Sequence, residues 1–104
     1  MSNRRVVVTG IGAITPLGNN LKDYWGALLE GKSGAAPITL FDATNFKTNF
    51  ACEVKNFNPT DFIDRKEARK LDRFCQFAVV VADQAFNDSG IELEKINSDR
   101  AGVI

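Results

Sequence analysis

The chain has 104 residues, 44% hydrophobic and 25% charged, an ordinary globular composition for one small domain. Its 13 basic and 13 acidic residues cancel, so no global field draws it to nucleic acid or to an anionic membrane. No apolar run approaches the roughly 20 residues of a membrane span, and the one at residues 6–8 is too short for a signal-peptide core, which places the protein in the cytoplasm.

Residues 6–9, Val-Val-Val-Thr, are a β-branched run closed by Gly10, the pattern of a short strand buried on both faces. A loop through Gly12, Pro16 and Gly18 follows. Asn20 caps a predicted helix over 21–30, with Asp23 in its first turn, Tyr24, Trp25, Leu28 and Leu29 as its apolar face, and Gly31 as its stop. Residues 32–44 read mostly as loop, marked by Ser33-Gly34, Pro37 and Asp42. Phe46, Thr48, Phe50, Cys52 and Val54 alternate with Lys47, Asn49, Ala51 and Glu53, which predicts an edge strand with one dry face. Asn58-Pro59 opens a short helical turn. Asp64 and Glu67 then form a D-x-x-E capping pattern at the head of the dominant predicted element, a helix over 65–88 stopped by Ser89-Gly90.

That helix has Ala68, Leu71, Cys75 and Val79 on one face, while Phe74, Phe77, Val80 and Val81 make its middle apolar all round. A helix of this kind is buried on every side. At about 1.5 Å per residue it would be about 36 Å long, more than the short elements around it can enclose. Beyond a loop at 97–100, Ala101, Gly102, Val103 and Ile104 read as the start of a second buried strand. Both features predict that residues 1–104 are a piece of something larger. No internal repeat or low-complexity segment interrupts the pattern.

Cys52 and Cys75 make neither a C-x-x-C pair nor a disulfide framework, and are expected as buried reduced thiols. The chain contains no histidine, the commonest base for activating a thiol, so neither cysteine is a candidate nucleophile. Gly10-x-Gly12 after a strand invites a dinucleotide-binding reading. It fails because Thr15 stands where G-x-G-x-x-G needs its third glycine and Pro16 disturbs a helix start. Small residues in a tight strand-to-loop connection account better for the two glycines. No cluster has metal-ligand spacing, and no cofactor is expected.

The segments RRVVVTGIGAITPLGN, YWGALLEGKSG and RKEARKLDRFCQFAVVVADQAFNDSG, in this order and spacing, resemble the N-terminal quarter of a β-ketoacyl-acyl carrier protein synthase, nearest to the type II bacterial elongation enzymes. The resemblance implies an α/β, thiolase-like fold: in the full protein, two related halves stacked as a five-layer α-β-α-β-α sandwich within a homodimer. It implies an acyltransferase of fatty-acid elongation that performs decarboxylative Claisen condensation. The family's catalytic cysteine and two histidines match no position here, so no catalytic residue is assigned. A polyketide ketosynthase, or a non-catalytic ketosynthase-like binding or assembly subunit, uses the same scaffold and stands as the alternative.

Residues 65–70, RKEARK, resemble the basic start of the helix with which type II synthases dock acyl carrier protein. The partner-binding residues so implied are Arg65, Lys66, Arg69 and Lys70. On one continuous helix, i, i+4 spacing sets Arg65 beside Arg69 and Lys66 beside Lys70. Four cations at a helix N-terminus oppose its macrodipole. Complementarity to an acidic partner explains that cost. A solvated helix face, tempered by Asp61, Asp64, Glu67 and Asp72, is the competing account.

Overall fold

The computed structural model describes residues 3–104. Helix α1 is Leu21–Leu29, strands β1 and β2 are Ala36–Pro37 and Phe50–Ala51, helix α2 is Arg65–Ala68 and helix α3 is Arg73–Ser89. Single 3-10 turns lie at Pro59–Asp61, Leu93–Lys95 and Ser98–Arg100.

The local signals placed the helix ends well. Asn20 caps α1 by accepting the Asp23 amide at 2.8 Å, while its own amide donates to the Asp23 carboxylate at 2.9 Å, a reciprocal lock on the first turn. Glu30 closes α1, one residue inside the expected bound, and Gly31 follows in the left-handed region with φ 70°. Gly90, with φ 68°, ends α3 the same way. Asn58 caps the 3-10 turn as expected, its side chain accepting from the Thr60 amide at 3.3 Å.

The strands are much shorter than the alternation predicts. Only Phe50 and Ala51 pair, antiparallel, with Pro37 and Ala36. The face expected to be dry is wet: Phe46 and Phe50 are each 61% exposed, and Cys52 is exposed too. Residues 6–9 form no strand, and residues 101–104 form none either. An alternating segment becomes a stable ladder only when neighbouring strands take up its hydrogen bonds. Among the described residues, neither end of the chain meets such a neighbour.

From Gly10 onward the N-terminal segment runs antiparallel along α3. A Cβ at Gly10 would stand 2.6 Å from the Ser89 amide nitrogen, and one at Gly12 would meet the Val81 carbonyl and stand 2.9 Å from the Gln84 Cβ. Close approach to a helix is therefore what these glycines supply. Amides along the same segment donate into α3 side chains: Ile11 to Asp88 at 2.9 Å and Ala13 to the Gln84 Oε1 at 3.0 Å. The Gln84 Nε2 donates onward to the Asn19 carbonyl at 2.8 Å.

Buried apolar side chains are few: Ala27, Ala43, Phe57, Ala68 and Val80 among the described residues. The radius of gyration is 17.8 Å, against about 13 Å for a compact domain of this length. The expectation that the long helix is buried all round is corrected: Val80 is 2% exposed, whereas Phe74 on the opposite side is 70% exposed. The α1 face behaves likewise, with Trp25 58% and Leu29 71% exposed. No helix among the described residues is long and apolar enough to cross a membrane.

Candidate functional site

The predicted helix over 65–88 is two helices. Asp64 caps α2 as its capping pattern requires, accepting the Lys66 amide at 3.1 Å. Glu67 does not return to close the box; it pairs with Lys70 at 3.0 Å. After Ala68 the backbone tightens, with Lys70 bonding the Glu67 carbonyl and Leu71 the Ala68 carbonyl. Asp72 then turns extended, with φ −66° and ψ 158°, as the N-cap of α3. Its side chain makes no capping hydrogen bond, so the backbone conformation alone ends the α2 segment here.

All four implied docking cations are exposed, and they lie on and just after α2. Arg65 and Lys66 open this single turn, Arg69 closes it, and Lys70 sits in the bend. The expected burden of four cations at one helix N-terminus is thus corrected, because Arg69 and Lys70 stand at the C-terminal end of α2, where positive charge is favoured. Arg65 stays beside Arg69, whose amide bonds the Arg65 carbonyl at 3.3 Å. Lys66 and Lys70 do not form the expected pair, since the 3-10-like bend carries Lys70 to Glu67 instead.

The 3-10 turn Pro59–Asp61 packs against this basic turn, and Ala68 within it is 4% exposed. Phe57 packs edge-on against Phe77 with centroids 4.9 Å apart and stacks on Phe62 at 6.1 Å. The Arg73 guanidinium lies 5.1 Å from the Phe77 centroid and 5.7 Å from that of Phe57, a cation-π clamp at the first residue of α3. Sequence reasoning missed Arg73; its place after an aspartate cap and before Phe77 at i+4 was the available signal. It also missed Gln76, whose amide spans the break between α2 and α3.

A cavity of about 640 Å³ lies elsewhere, between the turn at 15–19, α1 and Lys55. Its charges are mixed, Lys22 and Lys32 with Asp23 and Glu30, and Lys32 pairs with Glu30 at 2.8 Å, which raises the lysine pKa. The Lys55 ammonium is engaged by three carbonyls, those of Pro16, Gly34 and Glu53 at 3.2 to 3.4 Å. That arrangement ties loops together rather than assembling a reactive pair. Cys52 is exposed and Cys75 half-buried, which corrects the expectation of two buried thiols. Among the described residues no group of His, Cys, Asp or Glu is placed to hold a metal ion.

Glu53 pins the loop after β1. Its carboxylate accepts the Thr39 hydroxyl at 2.7 Å and the Thr39 amide at 2.9 Å, which holds its pKa below the ordinary glutamate value. A depressed folded pKa means that the contribution is present above the ordinary glutamate range and is lost as pH falls through the folded value. Pepsin reads this at the exposed bond between Leu40 and Phe41. Glu53→Gln is expected to be cut faster than the unaltered protein at mildly acidic pH, with the two rates converging as pH falls. Equal rates throughout would show that the carboxylate does not hold the loop.

The chain belongs to the β-ketoacyl synthase family: the family model described as "Beta-ketoacyl synthase, N-terminal domain" matches residues 3–104. Among curated relatives, it is 52% identical over 104 residues to the 3-oxoacyl-[acyl-carrier-protein] synthase 2 of Synechocystis sp., covering all of this chain and 25% of that protein. It is also 52% identical over 103 residues to the enzyme of the same name from Coxiella burnetii, covering 99% of this chain and 25% of that one. The chain therefore spans about a quarter of the length of the relatives it matches. Among solved structures, the ishigamide ketosynthase/chain length factor superposes with a TM-score of 0.81 at 39% identity, covering 91% of this chain and 24% of that one. The expected family is borne out, and this partial α/β unit has its likeness within a ketosynthase, in support of a thiolase-like fold.

Proposed function

We propose that this chain is the N-terminal part, incomplete as a domain, of a 3-oxoacyl-acyl carrier protein synthase of fatty-acid elongation. The full parent stacks two related halves as a five-layer α-β-α-β-α sandwich and works as a cytoplasmic homodimer. It joins an acyl group held as an enzyme thioester to the carbanion left when malonyl-carrier protein loses carbon dioxide, forming a carbon–carbon bond and freeing the enzyme thiol. The nucleophilic cysteine and the two histidines of that reaction lie outside residues 1–104. Residues 1–104 supply scaffold and part of the carrier-protein dock, Arg65, Lys66, Arg69 and Lys70.

The observation that carries this reading is the exposed basic turn, within a chain 52% identical to synthases named for acyl carrier protein. A second reading, a polyketide ketosynthase or a non-catalytic ketosynthase-like subunit, draws on the likeness to the ishigamide ketosynthase/chain length factor. Its lower identity, 39%, ranks it second.

Charge reversal of Lys66 and Arg69 together in the full-length protein tests the dock. Exposed cations steer an acidic partner and fix its orientation, so their loss falls on association and on its salt dependence. Each exposed pair contributes only about 0.2 to 1 kcal/mol, so the double variant is expected to use acyl-carrier protein severalfold less efficiently, with the reactivity of the catalytic thiol intact. Unchanged kinetics with carrier protein at low ionic strength would leave the turn as a solvated face and nothing more.

A further inference from the structure

We propose that Gln76 is a positioning residue for the basic turn, holding α2 at a fixed angle to α3 so that its cations meet an acidic carrier protein in register; the proposal rests on the docking reading above. The break between the helices leaves the Ala68 carbonyl with a 3-10 bond from the Leu71 amide at 3.2 Å in place of an α-helical one. The Gln76 Nε2 reaches back across the bend to two carbonyls ahead of α3, donating to that of Ala68 at 3.0 Å and to that of Leu71 at 3.3 Å. The residue is itself fixed in the first turn of α3, where its amide bonds the Asp72 carbonyl at 3.0 Å, and its side chain is partly buried. One side chain thus carries the rigidity of α3 across the bend to the segment bearing Arg65, Lys66, Arg69 and Lys70.

The other hydrogen bonds of the bend are local, between residues three or four apart, and fix the shape of α2 but not its angle to α3. Removing the amide keeps every cation and loosens the angle. A charge that must be re-ordered at each encounter raises the entropic cost of docking without changing the chemistry beyond it. Specificity for the carrier, not the condensing step, is therefore the property Gln76 serves.

The test uses the full-length protein with malonyl-carrier protein and, in parallel, with malonyl-pantetheine, the same thioester without the carrier. Gln76→Met keeps the length of the side chain without its donor; Gln76→Glu, of equal size and also without the donor, is run beside it so that the result does not rest on one variant's folding. Loss of this contact is expected to raise KM for the carrier-borne substrate about three- to tenfold. kcat and the kinetics with malonyl-pantetheine should stay within about twofold, a split that general destabilisation would not give. Equal losses on both thioesters, or no change in KM with carrier protein, would overturn the positioning role. Charge reversal of Lys66 and Arg69 separates the two ideas: if it weakens carrier use while both Gln76 variants do not, only the role of Gln76 falls, and if it changes nothing, the dock falls and the inference with it.

Discussion

A verified 104-residue preparation is expected to form no 3-oxoacyl-carrier protein, whereas the full-length parent does. The physical reason is compositional before it is structural. The chain has no histidine, and its two cysteines lie in settings unsuited to nucleophilic attack: Cys52 in an exposed loop after β2 and Cys75 within α3. No residue that resembles the family's nucleophile or its two histidines is available to hold an acyl group or drive decarboxylation. The same preparation should self-associate, because Val6, Leu40, Phe74 and Leu93, all at least 66% exposed, present apolar surface that the chain does not cover. Product formation above a no-enzyme control, from material whose intact mass is that of 104 residues, would defeat the proposal that the catalytic groups lie elsewhere.

Gly12→Ala in the full-length protein is expected to lower stability by at least about 2 kcal/mol, the upper range for forcing extra volume into a packed site. A single methyl group is the smallest change available, yet it would be driven against the Val81 carbonyl and toward the Gln84 Cβ. The obstacle is helix backbone, which cannot rotate away as a long side chain can. Displacing the segment would also pull the Ala13 amide from Gln84. Urea unfolding reads the effect as a lower midpoint at unchanged slope. A midpoint within error of the unaltered protein would mean that this segment does not rest on α3 as described.

The helix caps were legible in the sequence because each depends on residues within one turn: Asn20 with Asp23, Asn58 with Thr60, Asp64 with Lys66, and Gly90. The strands were not, because pairing depends on neighbours far along the chain, and Phe46 to Val54 found one only at Phe50 and Ala51. The long helix was misread for a related reason. The apolar period continues through Leu71, but Asp72 takes a cap conformation and the Gln76 amide rewards the break by bonding the Ala68 and Leu71 carbonyls ahead of it. The basic residues were found by likeness to a family; their setting at both ends of a single turn came only with the fold. Gln84 was invisible for the same reason as the strands, since its partners Ala13 and Asn19 lie 71 and 65 residues away.

Those spans bear on how the chain is made. The three side-chain bonds that seat the N-terminal segment close loops of 65, 71 and 77 residues, and all need α3. A ribosome adding about 5 to 20 residues per second needs roughly 3 to 15 s after releasing the segment before Gln84 and Asp88 are even polymerised. Throughout that interval the stretch from Gly10 to Ala13 has no helix to settle beside and is open to chaperones or to a neighbouring nascent chain. This segment is thus made well before the helix that seats it, and waits for it.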